Sequence, residues 1–445
     1  MLTVFRLAHF KSYEHAELPL GPITLLIGAN ASGKSNAIEA LRLLSWLAQG
    51  QKLSSIQYTI NAGDRILRGR VGDLCRQPSH RFTLGCQTDD STWQTLALTI
   101  EERDGELHIV EESISDPSET LPLYQLDQPS EGVGTDAGVA YNNFQRGRNK
   151  PHTTVSDQMA VFVQLEGSAR FDEKHERSQS VIPEVAKRYQ TLLQDILFLD
   201  PAPSRMRQYA FQTDTRLKGD GTNLSSVLYK LWGPRDAATV NPVQQAHREE
   251  ILRFIRSLPE QDILGLSFIT TPRNEVLLAA TESFGGKEQQ FDASLLSDGT
   301  LRVLAIASAM LSAPEGSLVV IEEIDNGVHP SRARDLLERI RAVAQSRNLR
   351  VLLSTHNPAL ADALPDAALC DVVFCYRDPH TGASRLKKLG ELEDVSDLLV
   401  KGPLGHLMTS GAIERFVKQP VDREAKRRQG QEWIERMRSI GGAAS

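Results

Sequence analysis

Phosphate chemistry is the first activity that residue types and spacing indicate in this chain. Gly28, Gly33, Lys34 and Ser35 form the pattern Gly-x-x-x-x-Gly-Lys-Ser directly after the apolar run Ile23–Ile27. Glycines let a backbone fold tightly so that successive N–H groups face a phosphate, while the lysine reaches the β and γ phosphates and the serine hydroxyl ligates Mg²⁺. The sequence therefore predicts a P-loop that binds a nucleoside triphosphate.

A pair of carboxylates and a histidine are the second chemical feature. Glu322 and Glu323 end the apolar run 318–321, and His356 follows the run Arg350–Thr355. A buried strand that ends in two acids is the pattern that supplies a metal-side acid and a water-activating base in P-loop hydrolases. Open α/β sheets bind ligands at the carboxyl ends of their strands, where a histidine can donate a hydrogen bond to a γ-phosphate.

A third feature is a helix tip that can bind an anion. Ser297 and Gly299 precede the apolar helical run 303–311. The free N–H groups of such a tip attract anions, although Ser-Asp-Gly-Thr on its own is typical of an ordinary helix N-terminus. Its position between a P-loop and a pair of carboxylates favours the anion-binding interpretation.

These residues must be positioned by strands that end at one edge of a sheet and by helices that begin there. The β-branched run Ile23–Ile27 predicts a strand before the loop, and 37–47 predicts an amphipathic helix after it. Alternation at 3–10 predicts a hairpin strand before the nucleotide site. Further short strands of an antiparallel sheet are predicted at 81–87, 93–100 and 106–110.

The middle of the chain carries weaker signals. Residues 116–157 are poor in apolar residues and rich in Pro, Gly, Asn, Ser and Thr, which predicts a mobile insertion. The run 159–165 predicts a strand and 181–196 predicts a helix, within a lobe too interrupted for a long coiled coil. The predicted domains are a nucleotide-binding part with antiparallel strands (1–115), the insertion (116–157), an inserted lobe of a strand plus helices (158–285), a second nucleotide-binding part (286–400) and a charged helical tail (401–445).

Composition limits the class of protein. With 445 residues, 40% of them hydrophobic, the chain can bury a substantial core and form two or three domains. No apolar run approaches the roughly 18 residues that span a bilayer, and the N-terminus lacks a signal peptide, which predicts a cytoplasmic protein. The net charge of −7 argues against indiscriminate nucleic-acid binding. The four cysteines lack CxxC or metal-site spacing, which predicts reduced thiols and no structural metal.

Four motifs in this order resemble those of ABC-type ATPase heads. Residues 28–35, 296–300, 318–330 and 354–358 are similar to the Walker A, signature, Walker B with D-loop, and switch-histidine motifs. The resemblance is to the RecF/SMC-related branch, especially prokaryotic stand-alone ATPases of the AAA family. It implies an α/β fold: a P-loop NTPase of ABC-ATPase type, with a mixed sheet core, an antiparallel β subdomain and an inserted helical lobe.

The resemblance also implies residue roles. It makes Glu323 the catalytic base and His356 the switch residue. It also makes Ser35 and Glu322 the metal side of the site, that is, the residues that hold Mg²⁺. Glu322 stands where the family more often has Asp, which implies contact with Mg²⁺ through water, and the family's metal-sensing Gln is expected within 199–208, with Gln208 the candidate. The implied nucleotide-binding residues are Gly28, Ala29, Asn30, Ala31, Ser32, Gly33, Lys34, Ser35 and Asn36, together with Ser297 and Gly299, which would touch a γ-phosphate held by another protomer.

The expected function is ATP hydrolysis with Mg²⁺, coupled to an ATP-dependent homodimer that acts on DNA or a separate effector protein in repair, maintenance or phage defence. A low-turnover sensor or scaffold that controls a separate effector is the alternative. A GTPase is disfavoured because the nearest base-reading string, 149–152, lacks the acid of Asn-Lys-x-Asp. A nuclease or toxin activity within the chain is disfavoured because neither a DxD-type carboxylate set nor an HNH-like histidine cluster follows the ATPase motifs.

Overall fold

The computed structural model describes residues 1–56, 66–132, 134–147, 149–233, 241–256, 263–284, 286–326, 330–392 and 395–418. The predicted tail beyond residue 418 lies outside the described residues. Within the described part, no helix combines the length and the apolar character that a bilayer crossing requires. The described residues form three sheets with helices packed around them.

The structure contains the following elements. The strands are β1 (Leu2–Ala8), β2 (His15–Pro19), β3 (Ile23–Ile27), β4 (Arg81–Thr88), β5 (Thr95–Arg103), β6 (Glu106–Ser115), β7 (Tyr124–Gln128), β8 (Asp136–Tyr141), β9 (His152–Ser156), β10 (Leu197–Leu199), β11 (Ala210–Phe211), β12 (Ile263–Thr270), β13 (Glu275–Phe284), β14 (Lys287–Asp292), β15 (Leu318–Ile321), β16 (Arg350–Thr355), β17 (Val372–Arg377) and β18 (Ser384–Lys388). The α-helices are α1 (Lys34–Ala48), α2 (Val161–Gln164), α3 (Glu176–Gln194), α4 (Pro203–Met206), α5 (Leu224–Trp232), α6 (Pro242–Ile255), α7 (Asp298–Ser312), α8 (Ala333–Ser346), α9 (Pro358–Asp362), α10 (Val395–Leu399), α11 (Leu404–Thr409) and α12 (Ala412–Lys418).

A six-stranded sheet forms the centre of the fold. Its strand order is β10-β15-β16-β3-β17-β18, and all its pairs are parallel except β17 with β18. Strand β3 is buried along its whole length because its two faces enter different cores: Leu26 packs into one, whereas Leu25 and Ile27 pack into the other. Burial on both faces explains the unbroken apolar run in its sequence. The carboxyl ends of β3, β10, β15, β16 and β17 therefore meet at one edge.

An eight-stranded antiparallel sheet, in the order β2-β1-β4-β5-β6-β7-β8-β9, lies beside this centre. Its last three strands fall within 116–157, so the prediction of a mobile insertion there is wrong. These strands bury only alternate side chains, among them Tyr124, Leu126, Val139 and Tyr141. Because a half-buried strand needs an apolar residue only at every second position, the segment has a polar composition although it is ordered.

The run 159–165 also differs from its prediction, because it contains helix α2 rather than a strand. The first N–H groups of this helix, from Val161 and Phe162, donate to the carboxylate oxygens of Glu112 at 2.7 and 2.8 Å. A buried acid thus satisfies donors that a helix start leaves open. A short apolar run does not distinguish strand from helix by its period, so this distant partner was needed to decide the outcome.

The inserted lobe contains helices α5 and α6 and a small antiparallel sheet of β11, β13, β12 and β14. Most of helix α3 lies where the sequence predicts a helix. The lobe shares one hydrophobic core with α7, α8 and one face of the central sheet. Helix α3 instead packs against α1 on the other face. The lobe is therefore continuous with the nucleotide-binding part rather than a separate body.

Candidate functional site

The P-loop has a backbone that requires glycine at its two ends. Gly28 and Gly33 have φ values of +153° and +119°, which side chains rarely allow. A Cβ atom on Gly28 would lie 2.2 Å from the carbonyl oxygen of Cys375, and one on Gly33 would lie 2.3 Å from Ser384 Oγ. Helix α1 begins directly after Gly33, which has no side chain to cap it. The first N–H groups of the helix are therefore oriented for an anion.

Lys34 and Asn36 fix the loop to its surroundings. The Lys34 ammonium group donates to the carbonyl oxygens of Gly28 at 2.5 Å and Ala29 at 3.0 Å. Burial lowers the pKa of Lys34, and the nearby carboxylates of Glu323 and Asp325 oppose that shift. Asn36 Nδ2 donates to Ser12 Oγ at 2.8 Å, which joins α1 to the β1–β2 hairpin. The ammonium group of Lys34 thus lies inside the curve of the P-loop.

Glu322 lies at the end of β15, where it pairs with a cation. Its carboxylate is 2.5 Å from Arg42 Nη2 on α1, and its N–H donates to the carbonyl oxygen of Leu199 at 2.9 Å. Burial raises the pKa of Glu322; the charge of Arg42 opposes this shift and the carboxylate of Asp200 adds to it. Asp200 directly follows β10, the strand beside β15. Two carboxylates therefore lie at adjacent strand ends, with the guanidinium group of Arg42 beside them.

Glu323 has a different environment from its neighbour. Its backbone is left-handed, with φ of +47°, and its N–H donates to Ser354 Oγ at 3.1 Å. The side chain is exposed, and Asn326 Nδ2 donates to its Oε2 at 2.6 Å. A non-glycine residue in this conformation is uncommon and costs energy that the surrounding structure must supply. The turn directs the two consecutive glutamates to different surroundings.

His356 lies at the end of β16, beside this turn. Its Nε2 is 4.0 Å from Asp325 Oδ2, and its side chain is 44% exposed, whereas that of Asp325 is 6% exposed. Thr355 Oγ1 donates to the other oxygen of Asp325 at 2.6 Å. The buried Asp325 is therefore held by the strand end, and the imidazole remains accessible to a ligand.

One cavity joins most of these groups. It has a volume of about 890 Å³, and residues 29–36, Glu322, Glu323 and His356 all line it. Gly28, the first residue of the loop, lines a neighbouring cavity instead. The sequence prediction that the P-loop, the acid pair and the histidine meet at one edge agrees with this arrangement.

The tip of α7 lies outside the lining of that cavity. Ser297 is the N-cap of the helix: its Oγ accepts a hydrogen bond from Thr300 N at 3.1 Å. Arg207 pairs with Asp298 at 2.6 Å and donates to the carbonyl oxygen of Leu296 at 2.9 Å. Ser297 and Gly299 are thus at a well-supported helix tip, but they do not join the P-loop of their own chain.

Sequence reasoning missed several residues that line the cavity. Asp200, Arg42, Lys11 and Arg68 all contribute to it, whereas Gln208 is exposed and does not. A signal for Asp200 existed, since it follows the apolar run that forms β10 just as Glu322 follows β15. Arg42 gave no such signal, because a charged residue on a helix usually faces solvent.

The donor set of the cavity matches the preference of Mg²⁺. Ser35, Glu322 and Asp200 supply oxygen atoms, and Mg²⁺ is usually held by one or two carboxylates together with nucleotide phosphates and water. The carboxylate of Glu322 is ionisable and already pairs with a cation. These residues therefore fit the metal that a P-loop implies.

The fold is also similar to solved structures of SMC head domains. One is an SMC head bound to the C-winged helix domain of ScpA (13% identity, 87% of this chain and 97% of that one covered, TM-score 0.44). Another is from Thermotoga maritima (14%, 87% and 98%, TM-score 0.35). A third is from Pyrococcus furiosus, with an extended coiled coil and bound to the C-terminal domain of ScpA (12%, 87% and 95%, TM-score 0.45).

A comparison of the sequence with protein families shows the family of this chain. No curated protein sequence matches it. The family described as "AAA domain, putative AbiEii toxin, Type IV TA system" matches residues 23–131 and 164–362. These ranges include the P-loop, the acid pair and His356 and cover well over half of the sequence. The chain therefore belongs to this AAA-domain family, with an α/β fold in which a P-loop follows a strand of the central sheet.

Proposed function

We propose that the chain binds ATP with Mg²⁺ at the P-loop and hydrolyses the nucleotide. The observation that carries the proposal is the single cavity that Lys34, Glu323 and His356 line together. Phosphoryl transfer depends mainly on positioning and on neutralising the charge of the γ-phosphate. A lysine, an acid and an accessible histidine around one cavity provide these requirements.

Each side chain has a distinct role in this proposal. Lys34 leaves the carbonyl groups of Gly28 and Ala29 and binds the β and γ phosphates. Glu323 accepts the proton of the attacking water, since its exposed carboxylate is oriented by Asn326. His356 donates a hydrogen bond to the γ-phosphate and thereby senses whether that phosphate is present.

The metal side is assigned to Ser35, Glu322 and Asp200. Mg²⁺ held by these residues would supply positive charge to offset the negative charge that develops on the phosphates during transfer. Asp200 occupies the region where the resemblance led us to expect a metal-sensing Gln, and we assign it that place instead of Gln208. The assignment follows from adjacent strand ends, because β10 and β15 are parallel neighbours.

We further propose that ATP joins two copies of the chain. Ser297 and Gly299 lie at a helix tip that is absent from the cavity lining of their own chain, so this tip is available for the γ-phosphate bound to a second copy. Hydrolysis would remove that bridging phosphate and release the dimer.

A low-turnover sensor is the second candidate, and one contact favours it. The Arg42 guanidinium pairs with Glu322, which places a cation on the acid that the metal side needs. A site in which this pair persists would bind ATP and hydrolyse it slowly. The lifetime of the ATP state in a Glu323→Gln variant separates the two: it lengthens strongly for a hydrolysing switch and hardly changes for a sensor.

The biological setting is proposed more broadly, as phage defence or as DNA repair or maintenance. The description of the matching family names a toxin of a type IV toxin–antitoxin system, which supports the defence setting. Steady-state ATPase activity with and without double-stranded and single-stranded DNA distinguishes the settings. Stimulation by DNA would favour repair, and its absence would favour control of a separate effector protein.

The decisive experiment mixes two inactive variants. Lys34→Ala removes the phosphate-binding charge, and Ser297→Arg blocks the helix tip, so each protein alone should lack ATPase activity. Their heterodimer pairs one intact P-loop with one intact tip, and partial activity should therefore return on mixing. The measurement is phosphate release as a function of the mixing ratio.

The matched control is Ser180→Arg, which adds the same charge on an exposed face of α3. This variant should keep wild-type activity. If Lys34→Ala alone retained turnover, the hydrolytic site would be misassigned. If both variants fold and associate but the mixture stays inactive, Ser297 is only a helix cap and the dimer proposal fails.

A further inference from the structure

Arg42 lies on a wall shared by two cavities. It lines the nucleotide cavity, and it also lines a second cavity of about 650 Å³ next to it, together with Phe198, Asp200 and Asp220. The position on α1, eight residues after Lys34, places this charge on the metal side of the site rather than on the side of the loop. A long side chain at such a wall can reach into either space.

The guanidinium group of Arg42 contacts an acid and an aromatic ring. Its Nη2 lies 2.5 Å from Glu322 Oε1, and its Cζ lies 5.0 Å from the ring centroid of Phe198. The first contact is an ion pair with the metal-side acid, and the second is a cation–π contact that needs no carboxylate. Phe198 would therefore keep supporting the guanidinium if the ion pair were broken.

The ion pair and a divalent cation compete for the same oxygen atoms. Arginine stays charged at all relevant pH values, so it cannot yield Glu322 by losing a proton. A Mg²⁺ ion on Glu322 would be repelled by a guanidinium 2.5 Å from that carboxylate. The side chain must therefore move before the acid can serve the metal, and the second cavity offers the space for this movement.

We infer that Arg42 is a positioning residue that occupies Glu322 while the metal is absent and moves into the second cavity, against Phe198, when the metal binds. The inference rests on the proposed function, since it concerns the metal side of the same site. Arg42 acts through Glu322, with which it pairs. Its effect is to make productive metal binding dependent on ATP, because the metal alone must displace a paired cation.

The test measures metal affinity without nucleotide and without turnover. Mn²⁺, which takes the same type of oxygen ligands, is titrated into the nucleotide-free protein and free Mn²⁺ is followed by electron paramagnetic resonance. Arg42→Gln should bind Mn²⁺ about tenfold more tightly than the wild type, because one positive charge beside the carboxylates is gone. In Arg42→Gln/Glu322→Gln this gain should disappear.

Two further variants make the result specific. Arg42→Lys keeps the charge and should bind Mn²⁺ as weakly as the wild type. Arg216→Gln removes the same charge from the second cavity, where Arg216 lies 3.8 Å from Asp195, and should also leave Mn²⁺ affinity unchanged. Thermal unfolding of each variant, by circular dichroism, verifies that it is folded.

Unchanged or weaker Mn²⁺ binding by folded Arg42→Gln would overturn the inference, since it would make Arg42 a fixed support for Glu322. An equal gain in Mn²⁺ affinity in Arg216→Gln would also overturn the inference, because the gain would then follow from the removal of any nearby positive charge. Failure of the inference on Arg42 can be told apart from failure of the proposed function, because in the first case the wild type would still hydrolyse ATP. Conversely, a tenfold gain in a protein without ATPase activity would sustain the inference on Arg42 and refute hydrolysis.

Discussion

Two glutamates of this protein, one directly after strand β15 of the six-stranded sheet and one within strand β6 of the eight-stranded sheet, have raised pKa values but opposite surroundings. Burial raises the pKa of Glu322 in the six-stranded sheet, and burial raises the pKa of Glu112 in the eight-stranded sheet to about 7. Glu322 faces a cavity and pairs with the long side chain of Arg42. Glu112 is enclosed, and it accepts hydrogen bonds from Tyr124 Oη at 2.7 Å and from the first two N–H groups of α2.

The difference shows that a raised pKa alone does not identify a functional acid. Perturbed values occur both at reactive sites and in structural networks. The partners decide between these cases: backbone N–H groups and a buried hydroxyl are fixed, whereas an arginine beside a cavity can be displaced. We therefore assign Glu322 to function and Glu112 to stability, and the following predictions test that division.

The largest expected effect is on the cavity side, at the residue after Glu322. Glu323→Gln should slow ATP hydrolysis by at least ~100-fold, because the general base is lost, while the melting temperature stays close to that of the wild type. Single-turnover hydrolysis and thermal unfolding measure the two quantities. A variant that binds ATP but hydrolyses it at the wild-type rate would remove Glu323 from its role.

The second largest effect is expected at Glu112, the enclosed glutamate. Glu112→Ala should lower the free energy of unfolding by about 2–4 kcal/mol, since it leaves Tyr124 and the α2 N–H groups without their acceptor. Chemical denaturation measures this loss. The ATPase activity per folded molecule should remain unchanged; a selective loss of activity at unchanged stability would reverse our assignment of Glu112.

The smallest effect is a dependence of stability on pH. The pKa of Glu112 is about 7 in the folded protein against an ordinary value of 4.5, so the folded state binds the proton more tightly. Its contribution to stability is present below pH 4.5 and is lost as pH rises through 7, on the order of 1 kcal/mol for each pH unit in that window. Denaturation curves at several pH values measure the slope.

Glu112→Gln provides the matched comparison for this slope. The amide oxygen still accepts hydrogen bonds from Tyr124 Oη and Phe162 N, which share one oxygen of Glu112, whereas the amide nitrogen cannot accept from Val161 N. This lost bond lowers stability equally at every pH, and the group no longer titrates. The difference in stability between wild type and variant should therefore change across pH 4.5–7 in favour of the variant. Parallel curves for the two proteins would assign the pH dependence to other groups.

Local sequence was sufficient where the chemistry lies within one continuous segment. The run Ile23–Ile27 followed by Gly28–Ser35 specified a strand, a turn and a helix start, because each step follows from burial, glycine geometry and helix caps. Local sequence was insufficient where the secondary structure of a segment depends on residues distant in the chain. Strands β7–β9 alternate too sparsely to be recognised by composition, and α2 depends on Glu112, which lies 49 residues earlier than Val161.

The sequence by itself determined the P-loop, the strand that ends in Glu322 and Glu323, and the strand that ends before His356, because these are patterns of neighbouring residues. Only the tertiary structure decided that Arg42 pairs with Glu322 and that Asp200 lies beside it. The reason is geometric: a parallel sheet places strand ends far apart in sequence next to one another, and the order of those strands is set by packing between faces rather than by any local signal.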